Sequence, residues 1–522
     1  MDQHALSGAP AAPSSRSPRA PRASRASHMA AAPQGRRLQF ERARAAIRRW
    51  FSAGDGWLIA ALALLPILMQ LPALLGLTHP DALGYTAALG TTTPGFAPGY
   101  STIDPNIGFT SQALGTQAAQ QWFSGHVPWW NPYEGVGMPL AGEMQSAAFF
   151  PLTLLLIAPW GQTVFHLCLQ IIAGVATYYL LRQLRLSRTA ALTGAVLFEF
   201  NGVFAWLANA VVNPIPFLPL LLLGVERAFV SAHAATPADE TPADETPAGE
   251  RTRLPLARGL WRVATEGWVW IAIALALSLV AGFPEVAFLD GLLAVVWVVA
   301  RLIALRGWLA RGRFALKVGI GFVVGAALTA PLLVAFVQYL REANSGLHTL
   351  GTSALDLPPL TLVQLVHPYV YGAISQYTLI PGLLIAWGNI GGYLGATVAF
   401  LALMGVFARR ELTLRLALAT WIALAIGRTM GVEPFAFLMN KIPLMNTVAV
   451  YRYINASWIM AAIILAAFAL DDWRGSRGDK LKAALCALVA LGVFSLGSLW
   501  LAQPTLQALF ASPLFTKNRA IG

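Results

Sequence analysis

The sequence predicts an all-α polytopic membrane protein with about eleven transmembrane helices and a large, partly helical first extracytoplasmic loop. Hydrophobic residues make up 57% of the 522 residues and charged residues only 11%, whereas about a quarter of an ordinary soluble domain is charged. Apolar runs of about twenty residues recur along the chain, each long enough to cross the roughly 30 Å hydrocarbon layer. The basic residues fall mainly in alternate connections between these runs.

The apolar runs define the predicted spans in chain order. Pro and Gly inside several of them are tolerable, because neighbouring helices can satisfy the freed backbone groups. The predicted spans are 57–77, 163–183, 189–207, 214–230, 267–284, 286–302, 318–339, 389–408, 413–430, 449–470 and 483–503.

The distribution of positive charge orients these spans. With the amino terminus in the cytoplasm, roughly 30 of the 36 Lys and Arg residues fall on the cytoplasmic side, which is the bias that the positive-inside rule demands. The net charge of +12 therefore mostly reflects the orientation of the chain in the membrane, and nucleic acid is not expected as a partner. Cys168 and Cys486 fall near opposite leaflets and are not expected to form a disulfide.

The segments between the spans complete the predicted organisation. An amino-terminal stretch rich in Ala, Pro, Ser and Arg is typical of disorder, and the near-repeat TPADETPADETPAGE is typical of an acidic low-complexity linker. The predicted regions are a disordered basic cytoplasmic tail (1–55), a transmembrane domain (56–503) with outer loops at 78–162 and 341–388 and the acidic cytoplasmic linker at 231–266, and a short extracytoplasmic tail (504–522).

The first outer loop is unusually polar for so hydrophobic a chain. It reads IDPNIGFTSQALG and then WFSGHVPWWNPYEGVGMPLAGEMQSAAFFP, which combines acids, tryptophans and turn-forming residues. The apolar run 146–158 within it is too short to span and is interpreted as a re-entrant or interfacial segment. Function is therefore expected on the extracytoplasmic face.

Several segments carry a family resemblance. IDPNIGFTSQ, GHVPWWNPYEGVGMPL and EMQSAAFFP resemble the opening extracytoplasmic loop of YfhO-type bacterial membrane proteins, which belong to the GT-C superfamily of polyprenyl-phosphate-sugar-dependent glycosyltransferases. Further similar segments lie at 200–228, 281–288, 357–372 and 442–458.

The resemblance implies an enzyme of the bacterial cytoplasmic (inner) membrane with an extracytoplasmic active site. Its donor would be a polyprenyl-phosphate-linked sugar, and its acceptor an envelope polymer, lipid or protein. Some superfamily members use a divalent cation such as Mg or Mn. Here Asp104 is followed by Pro105 and Asn106 rather than by a second acid, so no metal ligand is assigned.

Glycosyl transfer needs a carboxylate that takes the proton of the acceptor hydroxyl. In the superfamily this base is an acid of the first outer loop, so Asp104, which lies in the matching motif, is the first candidate and Glu143 the second. The alternatives are that Asp104 caps a turn or a helix start, since Asp-Pro-Asn favours both, and that Glu143 is structural.

The donor phosphate needs cationic or hydrogen-bonding partners. Arg452 is the first candidate, because the guanidinium fork matches phosphate oxygens, with Arg341, His367 and Lys441 behind it. Glu285 is expected to border the same outward-facing cavity as Arg452. The alternatives are an interfacial anchor for Arg452 and a hydrogen-bonded loop histidine for His367.

The aromatic pair Trp130 and Tyr133 permits stacking on a sugar, although Trp and Tyr also collect at membrane interfaces without any ligand.

The principal alternative function is a membrane transporter or flippase of lipid-linked saccharides. A transferase should hold Asp104 at the floor of an outer cavity that opens to lipid, whereas a transporter should show a central path that reaches the midplane.

Overall fold

A computed structural model describes a large part of the chain. The described residues are 55–77, 107–234, 266–343, 356–372, 383, 389, 391–472 and 477–511. Asp104, nearly all of the predicted basic tail and most of the acidic linker lie outside these residues.

The described residues are mostly helical. Their α-helices, in chain order, are α1 (Gly56–Met69), α2 (Ala113–Phe123), α3 (Gly161–Gln183), α4 (Arg188–Glu199), α5 (Gly202–Trp206), α6 (Phe217–Ala234), α7 (Trp268–Val280), α8 (Pro284–Ala304), α9 (Trp308–Glu342), α10 (Gly395–Val406), α11 (Leu412–Thr429), α12 (Glu433–Met439), α13 (Val450–Tyr453), α14 (Asn455–Asp471) and α15 (Arg477–Ala511), with a single further turn at Leu71–Leu74.

The first loop and three connections contain the other regular elements. The loop holds a two-stranded antiparallel sheet of β1 (Trp130–Asn131) and β2 (Met138–Pro139), in which Trp130 pairs with Pro139. A π-helical turn covers Ile107–Gln112, and 3-10 helices cover Pro151–Ile157, Ala210–Val212, Pro359–Leu365 and Met445–Thr447. The predicted re-entrant run 146–158 therefore ends in a short 3-10 helix.

Six of the described helices are long and apolar enough to cross a membrane, rather than the predicted eleven. They are α3, α6 with the preceding 3-10 turn, α8, α9, α11 and α15. Four shorter apolar helices, α1, α7, α10 and α14, coincide with further predicted spans but have only 14, 13, 12 and 17 residues.

The predicted span 189–207 is one that the structure does not show as a single helix. The chain breaks at Phe200 and Asn201, so that α4 and α5 replace a single helix. Asn201 caps α5 through Oδ1, which accepts a hydrogen bond from the backbone N–H of Val203 at 2.9 Å. A run that is apolar on average therefore contains a break between two helices, and the side chain of Asn201 accepts a hydrogen bond from a backbone N–H that the break leaves free.

The core of the bundle is centred on α14. Every residue of α14 from Asn455 to Ala469 is buried, and this helix packs against α4, α10 and α11. By contrast, most side chains of the 35-residue helices α9 and α15 are not buried. The short helix α14 is thus enclosed by protein, whereas the two longest helices, α9 and α15, lie mostly uncovered.

The segments predicted to be cytoplasmic meet at one end of the bundle, which we call the charged end. Arg301 on α8 donates from Nε and Nη2 to the two oxygens of Glu226 on α6, at 2.7 and 2.8 Å. Arg301 also forms an ion pair with Glu411, just before α11. The side chain of Glu226 is buried in this pair.

The segments predicted to be extracytoplasmic also contact one another, at what we call the loop end. Gln162 at the start of α3 donates to the carbonyl of Ala208 at 3.0 Å. Asn213 donates to the carbonyl of Ala281 at 2.9 Å, and the N–H of Leu357 donates to the carbonyl of Thr429 at 2.8 Å. The loop end therefore brings together segments that are distant in sequence.

Candidate active site

Contacts within the first loop join α2 to the residues that follow Glu143. The indole N–H of Trp122 donates to the carbonyl of Ala148 at 2.8 Å, and the hydroxyl of Thr116 donates to the carbonyl of Leu156 at 3.2 Å. Phe149 lies edge-on to Trp122, with ring centroids 5.7 Å apart. These contacts hold both sides of the turn that carries Glu143.

Glu143 is a mostly buried carboxyl in this turn. Its Oε1 accepts a hydrogen bond from the backbone N–H of Ser146 at 2.7 Å. Burial raises the pKa of Glu143 to about 7, although the backbone N–H groups of Ser146 and Gln145 oppose this shift, and the negative charge of Glu134 adds to it. A carboxyl with such a pKa can exchange a proton near neutral pH.

The Glu143 turn contacts two helices of the bundle through glycines. A Cβ on Gly282, just before α8, would lie 2.8 Å from the carbonyl oxygen of Met144. A Cβ on Gly142 would lie 3.2 Å from the carbonyl oxygen of Ala335 and 3.5 Å from the Cβ of Tyr339, both on α9. Close backbone approach thus fixes the turn against α8 and α9.

The start of α8 in turn contacts the segment that carries Arg452. Oε2 of Glu285 accepts a hydrogen bond from the backbone N–H of Ala449 at 3.1 Å. The rings of Phe283 and Tyr453 meet at 4.8 Å, and the guanidinium of Arg452 lies 5.6 Å from the ring centre of Tyr453. The turn with Glu143 and the helix with Arg452 are therefore both attached to residues 282–285.

The other candidate phosphate partners lie on separate segments. Arg341 is exposed in the last turn of α9, two residues after Tyr339. His367 is half-buried, with Nε2 3.3 Å from the hydroxyl of Ser495 on α15. Lys441 is exposed, and its Nζ lies 4.8 Å from the ring centre of Phe437. Of these three residues, Arg341 lies nearest in sequence to Tyr339, which contacts the Glu143 turn at Gly142.

Both rings of the aromatic pair are exposed, and that of Trp130 also packs on the hairpin. The indole of Trp130 covers Gly137, where a Cβ would lie 2.6 Å from Nε1, and the carbonyl of Trp130 accepts a hydrogen bond from Gln121 at 2.8 Å. Tyr133 is 87% exposed, and its backbone N–H donates to Oδ1 of Asn131 at 3.0 Å. Trp130 thus shapes the hairpin, while the ring of Tyr133 is available to a ligand.

Sequence reasoning missed a set of buried polar side chains beside the Glu143 turn. The hydroxyl oxygen of Ser111 accepts from the N–H of Ala210 at 2.9 Å, and Gln162 and Asn213 reach backbone carbonyls of the same region. These residues lie in or near the segments that carry the resemblance, and their mixture with apolar residues was the available signal. Within the described ranges, no group of three His, Cys, Asp or Glu could hold a metal ion.

Comparisons with known proteins give one distant structural match. No protein-family model matches the chain, and no curated protein matches it. A cryo-EM structure of a mutant of the arabinofuranosyltransferase AftD from mycobacteria is similar, with 15% sequence identity and a TM-score of 0.42 over 87% of this chain and 28% of that chain. This chain thus spans little more than a quarter of the length of the matched protein.

Proposed function

We propose that this protein is an integral-membrane glycosyltransferase of the GT-C type. It moves a sugar from a polyprenyl-phosphate donor to a cell-envelope acceptor at the loop end, which faces the extracytoplasmic side. The proposal combines the resemblance of the first-loop and later segments to YfhO-type proteins with the contacts among those same segments.

One observation carries the proposal: the attachment of the Glu143 turn and the Arg452 helix to the same residues, 282–285. Close approach of Gly282 to Met144 and the hydrogen bond between Glu285 and Ala449 supply the two attachments. Transfer from a lipid phosphate needs a carboxylate and a cation on neighbouring elements, and this arrangement provides one of each.

The proposed chemistry assigns the proton and the phosphate to different groups. A first-loop carboxylate takes the proton of the acceptor hydroxyl as its oxygen attacks the anomeric carbon, and the bond to the donor phosphate breaks. Asp104 is the proposed base and Glu143 the second candidate. Arg452 holds the departing phosphate, with Arg341, His367 and Lys441 as further partners, and Tyr133 and Trp130 offer aromatic faces to the sugars. Glu285 positions the Arg452 segment through the backbone of Ala449.

The test is transfer by the purified full chain. Labelled polyprenyl-phosphate sugars are incubated with the protein and with extracted envelope acceptors, and the label is followed into the acceptor. Asp104→Asn and Glu143→Gln are compared in this assay. The substitution that removes the base should lower transfer by at least about 100-fold. The other substitution should lower transfer by less. Arg452→Ala should weaken donor binding, whereas Arg409→Ala at the charged end should not. The absence of transfer with every donor sugar, in a folded preparation, would refute the proposal.

A further inference from the structure

A small polar cavity lies directly beneath the Glu143 turn. Its volume is about 10 Å³, which is room for about one water-sized sphere. Six polar side chains line it, and they come from four separate parts of the chain: Ser111, Gln145, Ser146, Thr153, Gln162 and Asn213. All but the half-buried Gln145 are buried.

Two of the three first-loop hydroxyls that line the cavity, those of Ser146 and Thr153, have already used their protons. The hydroxyl of Ser146 donates to the carbonyl of Leu140 at 2.6 Å, and that of Thr153 donates to the carbonyl of Ala147 at 2.7 Å. A hydroxyl that donates its proton elsewhere still has a lone pair with which to accept. Both oxygens are therefore acceptors toward the cavity.

The side-chain amides of Gln162 and Asn213 are also oriented by the hydrogen bonds that they donate. The amide nitrogen of Gln162 donates to the carbonyl of Ala208, and that of Asn213 donates to the carbonyl of Ala281. Their carbonyl oxygens are left to accept. Oδ1 of Asn213, on a side chain only 3% exposed, has no hydrogen-bond partner among the described residues, although buried polar atoms nearly always have one.

The cavity presents more acceptors than one water molecule can satisfy, although the hydroxyl of Ser111 and the amide of Gln145 can donate there as well. Water has two protons to donate, so it could satisfy two of the four oxygens, whereas a cation attracts all of them at once. Hard cations prefer oxygen ligands, and irregular backbone between helices is where membrane proteins coordinate sodium ions. The described residues that line the cavity include no carboxylate, which favours a single positive charge over a double one.

We propose that this cavity is a binding site for a monovalent cation, with Na⁺ preferred over K⁺ because the volume is small. The ligands are Ser146 Oγ, Thr153 Oγ1, Gln162 Oε1 and Asn213 Oδ1. Ser111 Oγ, which accepts from the N–H of Ala210, lies at the same cavity as a fifth oxygen. The cation ties the first loop to α3 and to the connection before α6, and it does so whether or not the chain transfers a sugar.

The experiment measures thermal unfolding of the full-length protein in detergent. The midpoint is compared in NaCl, KCl and choline chloride at the same ionic strength, so that screening of surface charges is constant. Because a ligand that binds only the folded state raises stability, saturating Na⁺ should raise the midpoint by on the order of 2–5 °C over choline, and K⁺ should raise it less.

A matched pair of substitutions separates the site from general stability. Thr153→Val removes a cavity oxygen with little change in shape. Thr177→Val on α3 is the control, because its hydroxyl is equally buried and also donates to a backbone carbonyl, that of Ala173, at 2.7 Å, but does not line the cavity. Both variants should unfold at a lower temperature in choline, and Thr153→Val alone should lose the response to Na⁺.

Two results would overturn the proposal. Equal midpoints of the unsubstituted protein in all three salts would mean that the cavity holds water at most. A sodium response that survives in Thr153→Val at its full size would mean that the cation binds elsewhere. Neither result bears on sugar transfer, which is measured separately.

Discussion

The buried ion pair at the charged end allows a quantitative test of the packing. Arg301→Met removes the guanidinium that donates twice to Glu226 and pairs with Glu411. Glu226 is 3% exposed and keeps the indole N–H of Trp297, at 3.1 Å, as a hydrogen-bond donor. Removing one partner of a buried ion pair destabilises a protein by about 3–5 kcal/mol, because the other charge stays buried without compensation.

The matched control is an exposed pair of the same chemistry. Arg409 and Asp479 form an ion pair in which both side chains are more than half exposed, and such pairs contribute less than about 1 kcal/mol. The double variant Arg301→Met with Glu226→Leu removes both buried charges, so it should recover most of the loss. Glu411 then remains, but its side chain is 37% exposed and can be solvated.

The assay is thermal or denaturant unfolding of the purified variants. We expect a large loss of stability for Arg301→Met, a small loss for Arg409→Ala and recovery of most of the loss in the double variant. If Arg301→Met is no less stable than Arg409→Ala, the buried pair is not what holds α6, α8 and α11 together. If the double variant is as unstable as Arg301→Met, the loss does not come from the stranded carboxylate.

Three further predictions concern the loop end. Because the pKa of Glu143 is raised to about 7 in the folded protein from its ordinary value of 4.5, the folded state binds more protons between these values. Stability should therefore fall as pH rises from about 4.5 to 7, by on the order of 2–3 kcal/mol, and unfolding of Glu143→Gln measured across this range should lack that part of the fall. Gly282→Ala should destabilise the protein more than Gly125→Ala does. Both glycines have a positive φ (96° and 77°), but only a Cβ at position 282 would press against Met144. Equal losses of stability in a melting assay would contradict the close approach. Tyr133→Ala should leave the melting temperature within about 1 °C, because the ring is exposed, while lowering affinity for a saccharide acceptor in a binding titration; unchanged affinity would remove this ring from the site.

The apolar runs predicted the helical class of the fold, because their length follows from the membrane itself. Apolar runs mark α3, α8, α9, α11 and α15, and each of these is a helix long enough to cross a bilayer. The predicted span 189–207 is divided where a polar residue breaks the apolar run, at Asn201, since hydrophobicity averaged over twenty residues does not register a single cap. Such a break depends on partners elsewhere in the chain, here the side chain of Gln170, which donates to the carbonyl of Glu199 at 3.4 Å.

The candidate site was predicted in part. Glu143, Glu285 and Arg452 were selected from sequence, and the structure attaches their segments to one another. Their actual partners could not be predicted, because Ser146, Ala449 and Gly282 act through backbone groups whose positions depend on the complete fold. The base proposed first, Asp104, lies outside the described residues and stays a prediction.

The contrast in length between the enclosed helix α14 and the outward helices α9 and α15 has a consequence for how the protein fits its bilayer. At 1.5 Å per residue, α14 is about 26 Å long, shorter than the hydrocarbon layer, whereas α9 and α15 reach about 52 Å. Because α14 is surrounded by protein, its shortness exposes no polar helix end to acyl chains. The long outward helices can tilt, or slide their ends through the headgroup layer, so changes in membrane thickness should be absorbed at the perimeter and leave the centre of the bundle undisturbed.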